Sequence, residues 1–133
     1  MDQHAHAFNA GNFRQFVGIY DFPLAMEVEG QMMLFVTPDA LVASMRGYRL
    51  MLAGLDSATI RPRVKAVELP RHSRFRIWTS WLHFDAAGTE FGVSEFVYHC
   101  RDRRDHICVE MVSVLKSFDA AMVPAQPTQA FRA

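Results

Sequence analysis

Three sets of side chains in this sequence could do chemistry, and each has an ordinary explanation beside the chemical one. The first is aromatic: Tyr20, Tyr48 and Tyr98 with Trp78, Phe16, Phe96 and Met111, and Arg76 two residues before the tryptophan. Phenols and an indole facing one space would hold an apolar or aromatic molecule and hydrogen-bond its polar group, although an aromatic core uses the same residues. Arg76 would add a fixed positive charge. Buried, it needs a carboxylate, a ring of acceptors or an anionic ligand; at the rim of a sheet it needs only water.

The second set is Glu95 and Glu110, placed close across neighbouring strands with Thr79 and His99 nearby. Two such carboxylates would form an acid-base pair, one pKa raised by the other, or would simply be solvated. The third set is the histidines. His4 and His6 flank an alanine near the start of the sequence, but a metal site needs more ligands in fixed geometry, so this pair is read as no site. His72 and His83 are isolated, and nothing supplies the remaining members of a triad. No nucleotide loop, metal cluster or nucleophile motif stands in the chain, so no catalytic residue, metal or cofactor is assigned.

These side chains must be positioned by a single domain, because 133 residues make one core but not two. Half the residues are hydrophobic and 21% are charged, a balance that folds. Fourteen basic and fourteen acidic residues cancel, and the short basic groups Arg61/Arg63/Lys65 and Arg101/Arg103/Arg104 are interrupted. Nucleic acid is therefore not expected as a partner. No apolar run reaches the roughly 18 to 20 residues of a membrane-spanning helix, and no signal peptide opens the sequence, so the expectation is a cytoplasmic protein with Cys100 and Cys108 as buried thiols. The eight methionines suit a compliant lining as well as a core.

The domain is expected over residues 8–119, with 1–7 and 120–133 loosely held. Asn12 caps a helix in which Phe13, Phe16, Val17 and Tyr20 recur at helical spacing until Pro23. Two apolar runs, residues 24–28 and 32–36, flank Glu29-Gly30-Gln31 as a hairpin. Thr37-Pro38-Asp39 opens a second helix to about Leu52 or Ala53, with Leu41, Met45, Tyr48, Leu52 and Leu55 on one stripe and Gly54 as the left-handed stop. Four strands follow: residues 60–69, 74–84, 90–101 and about 106–118, with Asp85-Ala86-Ala87-Gly88 as a type I turn closed by a glycine bulge.

Counting back from that loop pairs Trp78 with Phe96 and Arg76 with Tyr98, and a two-residue turn at Arg103-Arg104 pairs Tyr98 with Val109 and Phe96 with Met111. One face then collects Arg76, Trp78, Ser80, Leu82, Ser94, Phe96, Tyr98, Val109 and Met111. The other collects Phe75, Ile77, Thr79, Trp81, Val93, Glu95, Val97, Glu110, Val112 and Val114. Both faces are apolar with polar insertions, so both need cover; helices cover one, and a second copy of the chain is expected on the other.

The order helix, hairpin, long helix and four antiparallel strands resembles the nuclear-transport-factor-2-like superfamily, the cone-shaped α+β fold of ketosteroid isomerase, scytalone dehydratase and the SnoaL-type polyketide cyclases. The likeness covers residues 12–118. It rests on the first helix running into Asp21-Phe22-Pro23-Leu24, on Thr37-Pro38-Asp39-Ala40-Leu41, and on Arg74-Phe75-Arg76-Ile77-Trp78 followed by Phe84-Asp85-Ala86-Ala87-Gly88. It implies N-terminal helices on a strongly curved, mainly antiparallel sheet, a ligand pocket between them, and a homodimer through the sheet. Tyr20 stands about where the isomerases keep an oxyanion-hole tyrosine, but no matching aspartate pair is present, so the container carries over and the catalysis does not. The alternative architecture is a hot-dog fold, which leaves the first helix unused.

Two functions follow as expectations. The first is a small-molecule-binding protein for an apolar or aromatic ligand, with cofactor-free isomerase, dehydratase or cyclase chemistry open to it. The second is a non-catalytic dimeric association module whose interior is filled and whose outer face, with Trp81, Val97 and Val112, binds a partner.

Overall fold

The computed structural model describes residues 1–118. The chain begins with a helix, α1 (Asp2–Asn9), in which Ala5, Ala7, Phe8 and His4 are buried. Residues 1–7 are thus held by a helix that puts His4, Ala5 and Ala7 into the core, and the reason is spacing: His4 and Phe8 lie one turn apart and face inward together, while residues 120–133 lie outside the described residues. A short helix, α2 (Phe13–Val17), follows with Asn12 Oδ1 accepting from the Gln15 N–H as its cap. The helix expected to include Tyr20 ends at Val17; Tyr20 opens the first strand instead, and Pro23 lies within that strand.

The strands are β1 (Tyr20–Val28), β2 (Gln31–Phe35), β3 (Thr59–Val67), β4 (Arg74–Phe84), β5 (Glu90–Asp102) and β6 (Ile107–Lys116). The hairpin between β1 and β2 turns on Glu29 and Gly30, both with positive φ, the two-residue geometry that matches strand twist. The long helix α3 (Pro38–Gly54) starts as expected, with Thr37 Oγ1 accepting from the Ala40 N–H and proline in the first turn. Its stop differs. Gly54 remains in the helix and Asp56, with φ of 66°, takes the left-handed position.

All six strands form one sheet in the order β2-β1-β6-β5-β4-β3, antiparallel throughout except for the parallel pair β1 and β6. The Asp85 loop is closed as expected: Asp85 Oδ1 accepts from the Ala87 and Thr89 N–H groups and Gly88 has φ of 83°. Phe84 pairs with Glu90 there, but His83 already pairs with Gly92, so one extra residue, Phe91, is absorbed by a bulge. Beyond it every partner on β4 moves by one: Thr79 faces Phe96, Ile77 faces Tyr98 and Trp78 faces Val97. A one-residue slip exchanges the faces of a strand. At the next turn residues 103–106 form the loop, Asp102 pairs with Ile107, and a second bulge between His99 and Cys100 sets Tyr98 opposite Val112 and His99 opposite Met111.

The covered face therefore carries Ile77, Thr79, Trp81 and His83 with Ser94, Phe96 and Tyr98 and, on β6, Val109, Val112 and Val114. Arg76, Trp78, Ser80, Leu82 and Met111 lie on the opposite face, the reverse of the assignment counted from the Gly88 loop. The three helices pack over the covered face, and the core joins Phe8, Phe16, Leu41, Met45, Tyr48 and Leu52 to Leu24, Trp81, Tyr98 and Val112. Each such side chain is worth about 1.5–3 kcal/mol on burial. With α1, α2 and α3 all engaged, the hot-dog alternative of one wrapped helix does not describe this chain. Phe118 folds back over Gly92, where an added Cβ would stand 2.6 Å from its ring.

Candidate functional site

Between the covered sheet face and the helices lies a cavity of about 40 Å³, enough for a few waters or a small apolar group. The helices supply Phe8, Phe16, Leu41, Met45 and Tyr48; the strands supply Tyr20, Met26, Ile60, Trp81, His83, Ser94, Phe96, Tyr98 and Val112. Among the described residues no carboxylate lines it. Five of the eight residues expected to share a pocket are brought together here: Phe16, Tyr20, Tyr48, Phe96 and Tyr98. Arg76, Trp78 and Met111 are not, because the bulge at Phe91 puts the first two on the other face and the second bulge, between His99 and Cys100, does the same for Met111.

Four polar contacts are set in or behind these walls. The Tyr20 hydroxyl and His4 Nε2 are 2.8 Å apart, and the His4 ring stacks on Phe16 at 3.8 Å between centroids. Trp81 Nε1 donates to the Tyr98 hydroxyl oxygen at 2.8 Å. His83 is held between two serines, Ser57 Oγ at 3.2 Å from Nδ1 and Ser94 Oγ at 3.2 Å from Nε2. Lack of water governs their ionisation. Burial, with the amino terminus second, pushes the His4 pKa down to about 3, and burial pushes His83 down to about 4, so both rings are neutral bases in the folded chain. Burial raises the phenol pKa values of Tyr20, Tyr48 and Tyr98, keeping those hydroxyls protonated.

The other candidates resolve into separate contacts. Arg76 makes a two-pronged ion pair with Glu68, at 2.8 Å on both arms, and lies over the Trp78 ring. Glu95 accepts from Ser80 Oγ at 2.8 Å and sits 3.6 Å from Lys65 Nζ, while Glu110 pairs with Arg74, so the two carboxylates form no acid-base pair. His99 bonds Ser113 on the outer face. His72 is an exposed turn residue with positive φ. Cys100 and Cys108 are free and buried.

Trp81, His83 and Val112 are site residues that counting from the turn misplaced, and His4 and Ser94 were left unused. The sequence carries one marker for two of them: Gly92 is an isolated glycine inside a strand pattern, which marks a bulge, and a bulge there moves Trp81 and His83 inward beside Ser94.

No family model and no curated protein matches the sequence. Solved structures do match in shape. A protein of unknown function from Shewanella oneidensis, described as NTF-2 like, superposes with a TM-score of 0.63 at 13% identity over 84% of this chain and 88% of its own. A domain of unknown function from Nostoc punctiforme, described as having a cystatin-like fold, gives 0.66 at 10% identity over 98% and 86%. Aln2 from a Streptomyces species gives 0.63 at 12% over 86% and 83%. At these identities the likeness establishes the fold.

Proposed function

We propose that this chain, which has the nuclear-transport-factor-2-like fold, binds a small apolar or aromatic molecule between its sheet and its helices. The observation that supports this reading is a cavity with aromatic and aliphatic walls, among whose lining residues Tyr20, Tyr98, His83 and Ser94 carry buried hydrogen-bonding groups. A filled interior, as an association module requires, would need neither the space nor the buried polar pairs. Met26 and Met45 line the cavity and can yield to a ligand larger than the space between them. Cofactor-free proton transfer is the reaction class that neutral, buried imidazoles favour. Cytoplasmic residence and pairing of two copies through the outer sheet face belong to the same proposal.

Native mass spectrometry of freshly purified protein beside its denatured mass tests the proposal. The expected result is an added small mass that denaturation removes. Protein that carries no added mass, and whose melting temperature is unmoved by toluene, indole and phenol, would contradict it, since any ligand bound only by the folded state must stabilise that state.

A further inference from the structure

Among the described residues His83 is the one cavity residue whose two ring nitrogens are both engaged by hydroxyls, and the two serines that supply them border different spaces. Ser94 lines the cavity. Ser57 lines an open outer groove of about 520 Å³ with Arg49, Asp56, Asp85 and the alanines beside them. The Ser57 backbone is fixed, its N–H donating to Leu52 O at 2.9 Å and the Ala58 N–H donating to Phe84 O at 2.8 Å. That fixes Oγ against Nδ1 of His83. Phe118 packs edge-on against the imidazole at 4.3 Å and Gly92 lies opposite it in the sheet, which leaves the serines as its polar neighbours. The charged groups near this path, Arg49, Asp56 and Asp85, all stand on the groove side.

We infer that Ser57, His83 and Ser94 form a proton relay through the wall, serving a bound molecule with an acidic hydroxyl, a phenol or an enol. A neutral imidazole has one N–H and one lone pair, and a serine hydroxyl donates or accepts equally well, so both tautomers of His83 are satisfied between the two serines. In the outward step the ligand O–H proton passes to Ser94 Oγ as the Ser94 hydrogen passes to Nε2. The Nδ1 hydrogen moves to Ser57 Oγ, and the Ser57 hydrogen leaves to groove water. The electron pair of the broken O–H bond stays on the ligand oxygen, the ring ends in its other tautomer, and return of a proton by the same path restores both. Deprotonation at one atom and return at another is thereby available without opening the cavity to water.

The inference rests on the small-molecule reading for its substrate but not for its first test. In protein carrying ¹⁵N-histidine, exchange of the His83 ring N–H with solvent is followed by NMR. Ser57→Ala should slow this exchange about a hundredfold, the low end of what a positioned acid-base group contributes, and Ser94→Ala should leave it unchanged. Equal exchange in the wild type and Ser57→Ala would overturn the relay. If Ser57→Ala does not fold, the wild type alone decides: ring exchange no faster than that of the most protected amides of β4 and β5 means exchange by unfolding, which overturns it too. Phenol is then added as the probe. Binding that shifts His83 Nε2 supports the relay's substrate end, and binding that leaves Nε2 unmoved overturns it. No binding of phenol, with the Ser57 dependence intact, supports the relay while counting against the ligand reading.

Discussion

His4 shows how one buried side chain couples the terminus of the chain to the centre of the molecule. Its ring is hydrogen-bonded to Tyr20 and stacked on Phe16, and its pKa falls from 6.5 to about 3 because the charged form would have to be buried. His83 falls to about 4 for the same reason. A histidine with a depressed folded pKa binds its proton more readily in the unfolded chain. Its contribution to stability is complete above 6.5 and is lost as pH falls towards the folded value, at about 1.4 kcal/mol per pH unit for each ring. Urea denaturation should show stability falling between about pH 7 and about pH 5, and His4→Gln, which keeps a hydrogen-bonding group for Tyr20, should remove about half of that fall. Thr79 is fully buried with a hydroxyl that has no partner among the described residues. Thr79→Val keeps the shape and removes the orphan, so the melting temperature should hold or rise, by an equivalent of about 1 kcal/mol. At this scale Phe16, Tyr48, Phe96 and Tyr98 were legible as a set because helical spacing and strand alternation each point them inward, whereas Tyr20 joined them through a helical spacing it does not have, since it opens β1. Trp78 and Trp81 were exchanged because their assignment rested on a count through a bulge.

Among the elements, α2, α3 and the hairpins announce themselves through Asn12, Thr37-Pro38, Glu29-Gly30 and the Asp85 to Gly88 loop, where a cap or a positive φ has a residue-level signature. The helix α1 has no such signature: Met1 gives no side-chain cap, and its alanines and histidines suit a loose terminus as well as a helix until Phe16 and Tyr20 are in place to receive His4. Tertiary contact, more than propensity, makes this element. The β4 and β5 register is set by the bulge at Phe91 beside Gly92, and Gly92 also provides the surface on which Phe118 lies. Gly92→Ala would drive a Cβ into that ring and should cost about 1–3 kcal/mol by overpacking. Gly92→Ala combined with Phe118→Leu should recover most of the loss in thermal denaturation. Recovery failing in the double variant would mean that the glycine is needed for the bulge itself.

For the whole molecule, the two sheet faces have different work. The helix-covered face holds the cavity, while the outer face carries the half-buried Trp78 and Met111 among ion pairs such as Arg76 with Glu68 and Lys65 with Glu95. Seating a second copy on that mixed surface predicts that Trp78→Glu lowers the sedimenting mass to that of one chain while leaving ligand binding intact; a wild type that already sediments as a monomer would end the dimer proposal. The two tryptophans also make the central claim measurable, since Trp81 lines the cavity and Trp78 lies across the sheet from it. The direct measurement is a toluene titration followed by tryptophan fluorescence in Trp78→Phe, which leaves Trp81 as reporter, and in Trp81→Phe, which leaves Trp78. A saturable change from Trp81 with none from Trp78 is the predicted result; a flat Trp81 response, or a change confined to Trp78, would contradict a ligand site inside the cone.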